Sequence, residues 1–361
     1  MLVALCITAV LVILALGVSL LFIFKRRNFK PASEPNIVVE SSVNDADANI
    51  TMKTIDANQD RIDRATANCN WTISLEDKLG EGNFGIVYKA MMTEGTKSRK
   101  VAIKKVKNAG NQGNIDSLTT ELEVMNSLKN KPQQNLVTLI NHVQIENDAT
   151  WIVMEFCNLG DLKGYLQKNK KDLQLEANVG VINSKSLCIW AGEVSKGMEY
   201  LEKCHIMHGD LAARNVLLNC ENNRHPIAKI TDFGLAKSFY EYVDYQSVSG
   251  NVPWKWMAYE VIAIDVRHCS LKSDVWSFGV LLWELFSIGK QPYPEHFRAD
   301  KKFLKSLENE EFLTCPDELT DIQTWQPTSV FDDVAKLCFQ IDKSKRGSFA
   351  EITNIIEKYL K

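Results

Sequence analysis

The stretch Ile206-Met207-His208-Gly209-Asp210-Leu211-Ala212-Ala213-Arg214-Asn215 places an amide five residues after a carboxylate. A second carboxylate, in Thr231-Asp232-Phe233-Gly234, follows 17 residues beyond the asparagine. A carboxylate at Asp210 can accept a hydroxyl proton, while Asn215 and Asp232 offer hard oxygens of the kind magnesium takes. Each residue alone is ordinary, because aspartate and asparagine are common on surfaces. Their order, and what lies upstream, gives them weight.

Upstream, Leu79-Gly80-Glu81-Gly82-Asn83-Phe84-Gly85-Ile86-Val87-Tyr88 contains three glycines in G-x-G-x-x-G spacing. A dinucleotide-binding fold would need a helix straight after them. Ile86-Val87-Tyr88 instead continues as a strand, so the glycines sit in a hairpin loop, where backbone amides can approach phosphate oxygens. Val101-Ala102-Ile103-Lys104 then puts a lysine in an apolar strand. Such a lysine ordinarily turns to water; buried, it needs a carboxylate partner, and Glu121 in the next helical segment supplies one. Glu123, two residues on, faces elsewhere on a helix.

The surrounding pattern is an α+β one. Between about residues 71 and 157 short β-branched runs dominate, interrupted by one helical segment with Leu118, Leu122, Met125 and Leu128 on one face. From 158 to 361 helical patterns take over, which gives two lobes with a cleft between them. Of the 361 residues 45% are apolar and 24% charged, as in an ordinary globular protein, and a net charge of −3 gives no reason to expect nucleic acid. The nine cysteines are scattered without C-x-x-C spacing, as expected of reduced thiols. There is no internal repeat.

The N-terminus differs. Leu2 to Phe24 is an uncharged run of 23 residues, about 35 Å as a helix and enough to cross a hydrocarbon core of ~30 Å. A cleaved signal peptide would have a basic start and a shorter apolar core, and both are lacking. Lys25, Arg26, Arg27 and Lys30 follow at once, so the positive-inside rule places the rest of the chain in the cytosol with the N-terminus outside. The expected organisation is therefore a transmembrane helix at 2–24, a polar juxtamembrane linker at 25–70, disordered or weakly helical, and a catalytic domain at 71–361. Two sequons, at Asn49 and Asn70, carry no meaning in that topology.

Taken together, the glycine loop, Val101–Lys104, Asp210–Asn215 and Thr231–Gly234 make residues ~73–361 resemble a protein kinase domain. Leu211-Ala212-Ala213-Arg214-Asn215 and Pro253-Trp254-Lys255-Trp256-Met257-Ala258 resemble the catalytic and substrate-platform loops of receptor-type tyrosine kinases. The resemblance implies a bilobal fold, with a small β-rich N-lobe and a larger helical C-lobe. It also implies ATP and Mg2+ as cofactors and a tyrosine-bearing protein as substrate.

On that resemblance Lys104, held by Glu121, orients the phosphates, Asn215 and Asp232 bind the metal, Asp210 is the base and Arg214 assists near the transferring group. Gly80, Gly82 and Gly85 cover the phosphates. Val87, Ala102 and Leu217 sandwich the purine, with Met154 behind it and Glu155 and Cys157 in the hinge. Met125, Leu139, His208 and Phe233 form an apolar column between the lobes. Asp274 anchors the catalytic loop, and Glu260 pairs with Arg346.

The sequence departs from the family pattern at three places. Gly209 stands where an arginine usually precedes the base. That arginine pairs with phosphate on the activation segment, here the segment of Tyr240, Tyr242 and Tyr245, so its loss weakens a regulatory contact and spares the chemistry. Lys237 offers partial compensation as a point charge. Tyr259 and Gly347 stand where prolines are usual, which is expected to loosen the platform. The reading is a single-pass, plasma-membrane protein-tyrosine kinase with almost no ectodomain and no tail of docking tyrosines, phosphorylating in trans through a transient homodimer. The competing reading is a pseudokinase scaffold that binds nucleotide or a partner kinase without turnover; serine/threonine specificity is a third.

Overall fold

From Trp71 onward, alternation of apolar and polar residues produces strands with two different faces, and both faces are covered. A computed structural model describes residues 45–82, 85–145, 149–170, 184–222, 224–233, 253–317 and 327–361. Five strands, β1 (Trp71–Glu81), β2 (Gly85–Glu94), β3 (Lys97–Val106), β4 (Leu139–Val143) and β5 (Trp151–Glu155), form one antiparallel sheet in the order β1-β2-β3-β5-β4. Alternate residues of β3 serve different cores. Val101 and Ile103 join Ile73, Tyr88, Ala90 and Val153 on the outer face, whereas Ala102 and Val106 join Leu118, Met125 and Met154 on the inner one.

A helix precedes the sheet. Residues Asp45–Thr66, within the stretch read as a disordered or weakly helical linker, form the 22-residue helix α1. From Thr54 on, its inward positions are Ile55, Asn58, Gln59, Arg61, Ile62, Ala65 and Thr66, a helical face on which only three residues are apolar. That mixture is why no hydrophobic period was visible in the sequence. Between β3 and β4 lies α2 (Gln112–Leu128), capped by the Asn111 side chain on the Asn114 amide, with Leu118, Glu121 and Met125 buried and Glu123 exposed. Leu122 and Leu128 are half-buried against the same core.

Past the hinge the chain becomes helical: α3 (Leu162–Lys168), α4 (Ser184–Lys203), α5 (Tyr259–Ala263), α6 (Leu271–Phe286), α7 (Lys301–Glu308), α8 (Pro327–Cys338) and α9 (Phe349–Leu360). A short hairpin, β6 (Val216–Asn219) with β7 (Ile227–Ile230), intervenes between α4 and α5. Helix α6 is the axis of this lobe. Every residue from Ser273 to Phe286 is buried, and a Ser270/Ser273 capping box starts the helix. Helices α4 and α9 pack together, as do α8 and α6.

No helix among the described residues is long and apolar enough to cross a membrane. The run Leu2–Phe24 and its basic flank lie outside the described residues, as do Gly234, Lys237 and the three tyrosines Tyr240, Tyr242 and Tyr245.

Packing around α6 leaves no room at one point. A Cβ on Gly279 would meet the Cys338 Cβ at 2.7 Å and the Phe339 ring at 2.9 Å. Gly279→Ala therefore destabilises the chain by about 1–3 kcal/mol through overpacking, although alanine is the better helix former. Urea unfolding monitored by tryptophan fluorescence measures it; an alanine variant as stable as the parent would contradict this packing.

Candidate active site

Register in the β6–β7 hairpin brings the separated polar residues together. Val216 pairs with Ile230, so the residues just outside that pair, Asn215 and Thr231-Asp232, emerge side by side at one end. The Thr231 amide donates to the Asn215 carbonyl at 3.0 Å, fixing this juxtaposition. Asp232 has φ +68°, a left-handed conformation that aspartate tolerates better than most residues but still at a cost. The turn aims its carboxylate toward the other lobe.

There it meets the lysine. Lys104 Nζ donates to Glu121 Oε2 at 2.6 Å and to Asp232 Oδ1 at 3.0 Å, with its side chain only 11% exposed. Burial alone would lower the lysine pKa. The Asp232 and Glu121 carboxylates more than offset that and raise it above its ordinary value, so the ammonium stays charged. Burial likewise acts to raise Asp232, but the Lys104 ammonium wins and holds the carboxyl below its usual range. The Asp232 side chain is nevertheless 40% exposed, leaving oxygen available to a ligand.

On the catalytic loop, Asp210 has its Oδ1 on the Arg214 guanidinium, and its Oδ2 accepts from Asn215 Nδ2 at 2.8 Å. Asn215 Nδ2 also donates to the Asp210 carbonyl at 2.7 Å, which turns the amide so that its oxygen is the end not used by the loop. Burial pushes the Asp210 carboxyl up to about 6, against the opposing pull of Arg214. Arg214 itself lies over the Trp256 ring at 4.5 Å, linking the loop to the platform segment.

The loop hangs from α6. The amides of His208 and Gly209 donate to the two Asp274 oxygens at 2.8 and 2.9 Å. Glu284 Oε2 receives the Ala213 amide at 2.9 Å and Trp256 Nε1 at 2.8 Å, so one carboxylate holds catalytic loop and platform together. Sequence reasoning missed Glu284; the available signal was a glutamate inside the otherwise apolar run Phe278–Phe286, which must find partners. His208 is fully buried, and burial lowers it to about 4, so it is neutral. Its Nε2 donates to the Thr231 carbonyl at 3.0 Å and its ring lies 5.6 Å from Phe233. Met125, Leu139 and Phe233 are buried in the same core, completing the expected column.

The platform departures have local answers. Glu260 and Arg346 form a two-pronged ion pair at 2.8 and 2.6 Å, as expected. Tyr259 opens α5, where a proline would be tolerated, and its hydroxyl donates to Glu308 Oε1 at 2.6 Å. The Gly347 amide donates to the Leu337 carbonyl at 3.0 Å, a bond proline lacks, and a Cβ there would press the Leu337 side chain at 3.1 Å. Each of the two thus makes a contact that a proline could not, where the sequence suggested only a loosened platform.

Between the lobes lies a cleft of about 540 Å³. Gly80, Gly82, Gly85, Val87, Ala102, Lys104, Met154, Glu155, Cys157, Leu217, Arg214, Asn215 and Asp232 all line it. Of the residues assigned to the site, Asp210 and Glu121 stand behind the lining, bonded to Arg214 and Lys104. Burial pushes the Cys157 thiol up to about 12, which fits a hinge residue and not a reactive thiol. Leu79 and Asp161, also in the lining, were not singled out in the sequence; neither belongs to a fixed motif. The donor set suits a nucleotide with a divalent metal: an apolar slot, a charged lysine, one exposed carboxylate and one amide oxygen.

Gly209 has φ +80° while its amide is held by Asp274. Glycine adopts this freely, and an arginine here would carry left-handed strain. Gly209→Ala is expected to lower the unfolding free energy by about 1–2 kcal/mol. Chemical denaturation measures this, and an unchanged midpoint would show that the loop relaxes.

Comparison with known proteins agrees with the geometry. The family model described as protein tyrosine and serine/threonine kinase matches residues 73–356. The chain is similar to the tyrosine kinase receptor Cad96Ca of Drosophila melanogaster, 32% identical over 311 residues, covering 81% of this chain and 37% of that protein. It is also similar to the tyrosine-protein kinase SYK of Gallus gallus, 34% identical over 287 residues, covering 79% and 42%. A further relative, the tyrosine-protein kinase receptor old-1 of Caenorhabditis elegans, is 34% identical over 308 residues, covering 80% and 58%. The chain thus spans less than two thirds of each of these relatives, from 37% to 58%. With the two lobes, the paired lysine and the matched span in agreement, this chain belongs to the protein tyrosine and serine/threonine kinase family.

Proposed function

We propose that this chain is a membrane-anchored protein-tyrosine kinase that transfers the γ-phosphoryl group of ATP to a protein tyrosine. The observation that carries this is the convergence of Lys104, Asn215, Asp232 and the Asp210–Arg214 pair, spread over 129 positions, on one interlobe cleft. The family implies ATP and a divalent metal. Magnesium, when bound, would neutralise charge on the phosphates, held by the Asn215 amide oxygen and the Asp232 carboxylate.

Phosphoryl transfer asks the protein mainly for positioning and charge. Lys104, kept charged by its two carboxylates, orients the phosphates. The glycine loop brings backbone amides over them. Asp210 orients the incoming tyrosine hydroxyl and takes its proton, and Arg214 brings positive charge beside it. Tyrosine specificity rests on Ala212 and Arg214 in the loop, on Trp256 beneath Arg214, and on the tyrosine kinases among the relatives. The membrane anchor rests on the run Leu2–Phe24 with its basic flank, and on the receptors among the relatives. Confinement to a surface would favour phosphorylation in trans within a transient homodimer. Gly209 would then free the activation segment from one phosphate-dependent contact.

The test uses the full chain recovered from the membrane fraction in detergent, with magnesium-ATP and a poly-Glu/Tyr substrate, beside Asp210→Asn. Phosphotyrosine is expected from the parent, with a loss of at least about 100-fold in the variant. Because burial raises Asp210 to about 6, the base carries its own proton below that pH. Turnover should therefore fall by about tenfold per pH unit under pH 6 and stay level above pH 7. Background signal from both chains would favour the pseudokinase scaffold, and phosphoserine would assign the other specificity. A chain found wholly in the soluble fraction would remove the anchor.

A further inference from the structure

Helix α1 precedes the matched family span, residues 73–356, yet it is bonded to the strands that carry the nucleotide site. From Thr54 on it lies on the outer face of the sheet, opposite the cleft. Ile62, completely buried, packs there among Ile73, Tyr88, Val101, Ile103 and Trp151.

Two neighbouring polar side chains do more than fill space. Gln59 spans two backbone groups of the edge strand β1. Its Nε2 donates to the Ile73 carbonyl at 2.7 Å, and its Oε1 accepts from the Leu75 amide at 2.7 Å, as a neighbouring strand would. Just beyond Leu75 the β1–β2 register slips, and the chain runs on to Gly80. Asn58 reaches the other two strands: its Nδ2 donates to the Tyr88 hydroxyl at 3.3 Å on β2, and its Oδ1 accepts from Lys105 Nζ at 2.9 Å on β3. Alternation along a strand puts adjacent side chains on opposite faces. Tyr88 therefore backs Val87, and Lys105 backs Lys104; both partners line the cleft.

We propose that Asn58 and Gln59 are positioning residues for the nucleotide site, with docked α1 fixing β1, β2 and β3 from behind so that the glycine loop, Val87 and Lys104 hold their places. This rests on the reading that the cleft takes ATP. The alternative is a helix that merely adds stability. The two differ in what changes when the polar bonds are cut and the apolar seat of Ile62 is kept.

The test is the full chain carrying Gln59→Met and Asn58→Leu, changes that preserve or raise helix propensity while removing the four hydrogen bonds described above and the Gln59–Asp63 bond within the helix. Val334→Ala, in the buried core of the helical lobe, serves as a destabilised control. Three readouts are compared: affinity for a fluorescent ATP analogue with magnesium, KM for ATP against KM for peptide, and hydrogen exchange at residues 85–89 and 101–105. The double variant should bind the analogue at least about fivefold more weakly and raise KM for ATP in proportion, with KM for peptide unchanged. Exchange in both strand segments should quicken, whereas the control lowers Tm without moving affinity or exchange. A double variant of lower Tm with parental affinity and exchange would overturn the proposal. A parent without phosphotransfer would remove the kinase reading alone, because analogue affinity and exchange still decide this one.

Discussion

A charged amine cannot sit in the seam between two lobes unless it is paired, and much of this structure serves to pair Lys104. The ammonium is one of the few buried cations among the described residues, and taking it out of water costs several kcal/mol that only close carboxylates repay. Glu121 reaches it from α2, which must therefore pack against the sheet. Asp232 reaches it from the opposite lobe, 128 positions later, through a left-handed turn. One cation thus joins strand, helix and second lobe. Removing either carboxylate would do more than loosen a contact, since it would leave part of that burial uncompensated.

The second lobe meets the same requirement from its own side. Helix α6 is apolar nearly throughout, so the two carboxylates it buries, Asp274 and Glu284, are constrained to satisfy backbone amides and the Trp256 indole. Those partners are the catalytic loop and the platform. The rigidity of a hydrophobic helix is thereby passed to the loop that carries Asp210 and Asn215. Gly209 belongs to this arrangement: the amide that Asp274 holds lies on a residue with positive φ, which glycine supplies without strain. Its presence has a local conformational reason.

Much of the candidate site was legible in the sequence, because groups that must meet at fixed spacing leave short patterns. The glycine loop, Val101–Lys104, Asp210–Asn215 and Asp232 sit together around one cleft, and the pairings of Lys104 with Glu121 and of Glu260 with Arg346 are present. The two-lobed fold followed from the change of period near residue 157. What was not legible depends on long-range polar contacts. Helix α1 grips the sheet through Asn58 and Gln59, and polar grips produce no hydrophobic period. Glu284 and Asp161 belong to no motif. Tyr259 and Gly347 looked like losses because a missing proline is visible in a sequence, whereas a new bond to Glu308 or to Leu337 is not.

The central claim, that a metal-bound triphosphate is gripped where Lys104, Asn215 and Asp232 converge, is most directly tested by a crystal structure of the chain with magnesium and a non-hydrolysable ATP analogue. The expected result is the purine between Val87, Ala102 and Leu217, a phosphate oxygen on Lys104 Nζ, and the metal on Asn215 and Asp232. A nucleotide seated elsewhere, or a cleft in which Lys104 stays away from the phosphates, would contradict it.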